Sequence, residues 1–141
     1  MITCKGACFC GTVEVETTGE PVVQGFCHCA DCRAWSATPV TAFALWPAAM
    51  MKATRGEADL ASFSRTEGTV RRHCVHCGGA VMTVNDGGAL IDVYPPLLPG
   101  FAFRPRSHVH YGQRMVDMKD GLPKYRDLPA RAGGSDEMIA E

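Results

Sequence analysis

Seven of the eight cysteines in this 141-residue chain stand in three tight groups, and that spacing constrains the fold more than any other feature. The groups are Cys8-Phe9-Cys10, Cys27-His28-Cys29-Ala30-Asp31-Cys32 and Cys74-Val75-His76-Cys77, with Cys4 standing alone. Buried core thiols have no reason to recur at ligand spacing three times, whereas metal ligands do. In C-x2-C the two sulfurs reach one ion across a tight turn, and a following glycine, here Gly78, can take the left-handed conformation that the turn prefers. In C-x-C on extended backbone, residues i and i+2 share a face, so Cys8 and Cys10 are expected to point at one ion with Phe9 turned away. Two such half-sites from opposite ends of the chain make a four-cysteine zinc site that ties the N-terminal strand to the middle of the sequence. Its thiols must lose their protons to bind, so metal binding and folding are expected to be coupled.

The middle group differs. Cys27, Cys29 and Cys32 overlay a C-x-C on a C-x2-C and give three sulfurs from six consecutive residues. Three ligands leave one position of a zinc tetrahedron free, the mark of a reactive rather than a structural centre. The alternative is a fourth protein ligand, drawn from Cys4, His28, His73, His76, His108 or His110. On extended backbone His28 alternates away from its flanking cysteines, and His76 sits inside the other C-x2-C turn. No histidine is assigned to metal.

Elsewhere the chain reads as all-β, with one or two short helical turns. Strand-like segments are Thr12 to Glu16, Val22 to Phe26, Pro39 to Leu45, Ala61 to Ser64, Val70 to His73, Ala80 to Val84, Leu90 to Val93 and His108 to Tyr111. Asp86-Gly87 between two apolar runs predicts a hairpin. Helical turns are expected near Asp31 to Trp35 and Pro47 to Met51. The sequence suggests one domain over residues 1–129 and a frayed tail over 130–141, where Gly133-Gly134-Ser135 precedes acidic residues.

A formal charge of −1 and a pI near 6.5 offer no field for nucleic acid or an anionic membrane, so the expected partner is a small molecule. Nothing at the N-terminus reads as a signal peptide and no run is long enough to span a bilayer, so the chain is expected in the cytoplasm. There, clustered thiols bind metal or do chemistry more often than they form disulfides.

Three ordered stretches resemble the family of glutathione-dependent formaldehyde-activating enzymes, also called the CENP-V/GFA domain family: Gly6-Ala7-Cys8-Phe9-Cys10-Gly11, Cys27-His28-Cys29-Ala30-Asp31-Cys32-Arg33 and Arg72-His73-Cys74-Val75-His76-Cys77-Gly78. The run Asp120-Gly121-Leu122-Pro123-Lys124-Tyr125 is similar to that family's C-terminal segment. The resemblance implies a β-rich, Mss4-like fold with two zinc ions per chain, a closed site of Cys8, Cys10, Cys74 and Cys77, and a catalytic site of Cys27, Cys29 and Cys32. It also implies a carbon–sulfur lyase acting on a small thiol adduct such as S-hydroxymethylglutathione, with glutathione as co-substrate. Arg33 would clamp a glutathione carboxylate, and Asp31 and Trp35 would shape the same rim. Gly79 stands where many members carry serine or threonine, and the tryptophan often found near the position of Met115 is missing. Two other readings use the same residues: a family enzyme with a different small substrate, and a non-catalytic Mss4-like zinc module that binds a protein.

Overall fold

The computed structural model describes all residues, 1–141. Its first five strands are β1 (Thr3–Ala7), β2 (Glu14–Thr18), β3 (Val23–Cys27), β4 (Thr41–Pro47) and β5 (Met51–Arg55), with helix α1 (Ala30–Ser36) between β3 and β4. Then follow β6 (Leu60–Phe63), β7 (Val70–Cys74), β8 (Ala80–Asn85), β9 (Leu90–Val93) and the short β10 (His108–Val109). A chain that is β-rich, with one short helix and several single 3₁₀ turns, agrees with the all-β expectation and is consistent with an Mss4-like fold. The chain divides into two compact units, residues 1–23 with 44–103 and residues 24–43 with 104–141.

In the first unit β1, β2 and β5 form an antiparallel sheet in that order, and β9, β8, β7 and β6 form successive antiparallel pairs, with Ala44–Pro47 of β4 alongside β9. Period-2 alternation explains the core. Val13 and Val15, two residues apart, turn inward with Ala44, Trp46, Val81 and Val93, and all six are fully buried. Each such aliphatic side chain contributes about 1.5–3 kcal/mol relative to leaving it in water. The indole of Trp46 packs edge-on against Phe101 and donates to the Gly19 carbonyl at 3.0 Å, so its buried N–H is satisfied. The expected hairpin is present: Asn85 pairs with Leu90 across a turn at Asp86–Gly88.

Two strands escaped sequence reading. β1 carries Gly6 and Ala7 among polar residues and shows no apolar alternation, while β5, Met51-Lys52-Ala53-Thr54-Arg55, pairs with β2 although it is partly charged. The helical turn expected over Pro47 to Met51 is one 3₁₀ turn, Ala48–Met50, that feeds directly into β5.

The second unit is built on a parallel pair, β3 with β10, in which Phe26 lies opposite His108 and Cys27 opposite Val109. Gly25 permits it: a Cβ there would sit 2.3 Å from the Ser107 carbonyl oxygen. Residues 130–141, expected to fray, are tied down instead. Arg126 N–H donates to the Glu137 carbonyl and Ile139 N–H to that of Lys124, and Asp127 Oδ1 accepts from both the backbone and the hydroxyl of Ser135. The small residues that suggested fraying form the turn that allows this return. No helix is long and apolar enough to cross a membrane.

Candidate metal centres

The first centre lies in the first unit. Cys8 follows β1 directly, and the chain then turns, with Gly11 N–H donating to the Cys8 carbonyl at 2.9 Å. Cys8 and Cys10 are therefore brought together by a turn, not by the extended backbone expected from their spacing. Cys74 ends β7, and Gly78 N–H closes the second turn onto the Cys74 carbonyl at 2.9 Å, with Gly78 at φ +72° as its place after the C-x2-C predicts.

These two turns bring the sulfurs of Cys8, Cys10, Cys74 and Cys77 within 4.8 Å of one another. A tetrahedron with metal–sulfur bonds of about 2.3 Å has edges of about 3.8 Å. Cys8 and Cys10 are 3.7 Å apart, and Cys10 and Cys74 are 3.8 Å apart. Backbone N–H groups point at the sulfurs: Val13 to Cys8 at 3.3 Å, His76 to Cys74 at 3.4 Å and Gly79 to Cys77 at 3.4 Å. Such dipoles favour thiolates, and the donor set fits a closed four-sulfur zinc site. The Thr12 hydroxyl, 3.2 Å from Cys10, and the Thr12 backbone bring the Cys10 thiol down to about 6. His76 turns away to Asp59 at 2.9 Å, and Cys4 lies buried in the apolar core.

The second centre lies in the second unit. Cys27 is the last residue of β3, Cys29 is the N-cap of α1, and Cys32 sits in its first turn. Cys29 Sγ accepts the Cys32 N–H at 3.2 Å, so the local signal that starts the helix is itself a member of the cluster. All three sulfurs lie within 4.8 Å of one another, and no histidine or carboxylate atom joins the group. The Cys27 and Cys32 thiols donate toward Cys29, which falls to about 2, while the bonds to Cys29 and Cys32, with burial, push Cys27 far up. Three sulfurs this close give up one proton readily and hold the others; a cation is what allows all three to ionise. That is the donor chemistry of a three-thiolate zinc site with one position free.

The residues around this loop are largely engaged. Arg33 Nε donates to the His28 carbonyl at 3.1 Å, and its Nη2 donates to the Gln113 carbonyl at 2.9 Å. The guanidinium thus braces the cysteine loop. Gln113 also accepts the Ala30 N–H through Oε1 at 2.9 Å. Asp31 and Trp35 are partly exposed on α1.

Sequence reading missed a polar chain in this unit that runs from buried His28 and His108 to Asp120 at the surface. His28 Nε2 lies 2.8 Å from His108 Nδ1, and His108 Nε2 lies 2.7 Å from Asp120 Oδ2. Lys124 Nζ, buried like both histidines, holds Asp120 Oδ1 at 2.9 Å. The only available signal was the run Asp120 to Tyr125, which carries the aspartate and the lysine but says nothing of their partners.

No curated protein matches this chain. Among solved structures, the crystal structure of a Rhodobacter sphaeroides protein, a structural-genomics target, is similar with a TM-score of 0.59 at 22% identity, over 70% of this chain and 90% of that one. At that identity the likeness concerns the fold. The family model described as "Glutathione-dependent formaldehyde-activating enzyme" matches residues 3–112, which include every residue of both cysteine clusters. With more than half its length matched and both clusters inside the match, the chain belongs to the glutathione-dependent formaldehyde-activating enzyme family.

Proposed function

We propose that the chain is a zinc-dependent carbon–sulfur lyase-like enzyme that makes or cleaves a small thiol adduct such as S-hydroxymethylglutathione. The observation that carries this reading is the asymmetry of the two clusters: four sulfurs in one, three in the other, with no further donor joining the three. Cys8, Cys10, Cys74 and Cys77 would hold a structural zinc. Cys27, Cys29 and Cys32 would hold a second zinc, which when bound supplies a soft acceptor for a substrate thiolate.

The residues of the chain do the rest. Cys29 and Cys32, partly exposed, give the ligand its approach, while Cys27 is buried beneath them. Arg33 offers Nη1 to a glutathione carboxylate while its other nitrogens brace the loop. The partner in this reading is a small thiol or aldehyde, not nucleic acid or membrane, and the cytoplasm is the compartment, because a reducing medium keeps both clusters as thiols.

Cobalt substitution tests it. The charge-transfer band of the metal at the three-cysteine centre should shift when glutathione with formaldehyde is added, and the same protein should accelerate adduct formation or cleavage. No shift at millimolar glutathione, together with no turnover by two-zinc protein, defeats the assignment. A non-catalytic, Mss4-like zinc module would then lead, and one feature favours it: Phe9 and Val75, one in each turn of the four-cysteine cluster, are 92% and 52% exposed.

A further inference from the structure

The second unit holds a lysine where an apolar side chain would cost less. Lys124 is 1% exposed, and burying an ammonium costs far more than burying a methionine of similar length. Its Nζ donates to Asp120 Oδ1 at 2.9 Å and to the Leu122 carbonyl at 3.0 Å, and lies 3.5 Å from Glu141 Oε1. Asp120 Oδ1 also accepts the Leu122 N–H at 3.0 Å, and Oδ2 lies 2.7 Å from His108 Nε2. The ammonium thus fixes one oxygen of Asp120 and aims the other at a histidine ring.

His108 passes this hold to the cysteine loop. Its backbone runs parallel to Phe26 of β3 on one side and to Lys124 on the other. Its N–H donates to the Pro123 carbonyl at 2.8 Å, and its own carbonyl accepts the Tyr125 N–H at 2.9 Å. The ring stacks on Phe26 with centroids 5.1 Å apart, meets Tyr111 edge-on at 5.5 Å, and sets Nδ1 2.8 Å from His28 Nε2. His28 is therefore fastened at three places: its ring to His108, its N–H to the Val109 carbonyl at 3.0 Å, and its carbonyl to Arg33 Nε at 3.1 Å. Cys27 and Cys29 are its covalent neighbours, with Cα atoms about 3.8 Å from its own, so their backbone has little freedom left. A loop already ordered in this way loses less conformational entropy when its sulfurs close on one ion, and binds it more tightly.

We infer that Lys124 and Asp120 are positioning residues for the three-cysteine centre: through His108 and His28 they hold the Cys27–Cys32 loop in the arrangement that binds zinc. The inference rests on the reading, given under Proposed function, that this centre takes zinc, and does not require the lyase activity. Both residues lie beyond those matched by the family model.

Chelator competition on the full-length chain tests it by reading two zinc affinities, with Cys29→Ser supplying that of the four-cysteine centre alone. Asp120→Ala should weaken zinc at the three-cysteine centre about tenfold and leave the four-cysteine centre unchanged. Lys124→Met, which fills the same space without the charge, should do the same. Asp127→Ala is the structural control: it removes the acceptor of the Ser135 N–H and hydroxyl in the same unit but outside this chain of contacts. It should lower the melting temperature and leave both affinities unchanged. The parent protein offers a second measurement, because coupling between two places is reciprocal. Filling the three-cysteine centre should slow amide exchange of Leu122 and Tyr125 about tenfold, and leave that of Ser135 as it was.

An Asp120→Ala affinity at the three-cysteine centre equal to that of the parent overturns the inference. So does equal weakening at both centres, or an equal loss in Asp127→Ala, either of which reduces Asp120 to a general support of the fold. If Asp120→Ala and Lys124→Met fail to fold, exchange in the parent decides: slowing at Leu122 and Tyr125 upholds the coupling and unchanged rates overturn it. A parent that takes one zinc only removes the metal from the three-cysteine centre, and the inference falls with that reading.

Discussion

Cys10 Sγ lies 3.8 Å from Cys74 Sγ, although 64 residues separate them in the chain. That distance is one edge of a sulfur tetrahedron, and it joins the turn after β1 to the turn after β7 within one unit. Without a cation, four converging sulfurs must share protons and crowd; with one, they close a long loop that chain entropy otherwise opposes.

Cys77→Ser should therefore be severe. Loss of a metal site belongs to the mechanisms that exceed about 4 kcal/mol. The expected outcome is insoluble protein or protein that a chelator unfolds, read from soluble yield and thermal melting with and without chelator. Cys4→Ser should cost far less, because Cys4 belongs to no cluster and loses only packing. Zinc-replete Cys77→Ser protein with unchanged melting would remove this site from the stability of the fold.

Metal content should separate the two centres. The parent should carry about two zinc ions per chain and Cys29→Ser about one, with melting close to that of the parent. Metal analysis beside a thermal melt reads both at once. Cys29→Ser protein that loses all metal and its fold would mean that the structural and reactive roles are exchanged.

Arg33→Ala has two effects that one measurement would confuse. The guanidinium braces the His28 and Gln113 carbonyls, so its loss should lower the melting temperature modestly and loosen the cysteine loop. If Nη1 also meets a glutathione carboxylate, binding should weaken by about 1.5–3 kcal/mol, and a thiol without that carboxylate should lose much less. Calorimetric titration with glutathione and with a carboxylate-free thiol distinguishes bracing alone from bracing plus recognition.

Asp92 should give the protein a pH dependence of its own. Burial between β4 and β8 raises its carboxyl from 3.8 to about 8, against the Ala44 N–H, which donates to Oδ1 at 3.0 Å, and against the charge of Arg71. The folded state then keeps a proton that the unfolded state releases. The stability tied to it is complete below about pH 3.8 and is lost as pH rises toward 8. Asp92→Asn keeps the Oδ1 acceptor and cannot ionise. The variant should gain on the parent through that window, by at most about 1.4 kcal/mol per pH unit, in denaturant titrations at pH 5 and pH 8. Parallel curves for the two proteins would show that Asp92 is ionised in the fold.

The cysteine spacing by itself determined which thiols stand together, because C-x-C and C-x2-C are short enough for covalent geometry to limit where the sulfurs go. It left a fourth donor for the middle group open, and only the structure set four sulfurs together in one cluster and three in the other. The β character was legible wherever one strand face was apolar, as in Ala80 to Val84 and Leu90 to Val93. It was not legible in β1 and β5, whose residues carry little apolar alternation and become strands because β2 supplies their hydrogen-bond partners. The conformation of Cys8 to Cys10 was likewise open, since turn and extended backbone both bring i and i+2 together; the Gly11 bond decided it. His28, His108, Asp120 and Lys124 were beyond sequence reading for a simpler reason. Eighty positions separate the two histidines, no local period links them, and only the parallel pairing of β3 with β10 and the return of the C-terminal segment set their rings 2.8 Å apart, closed to water.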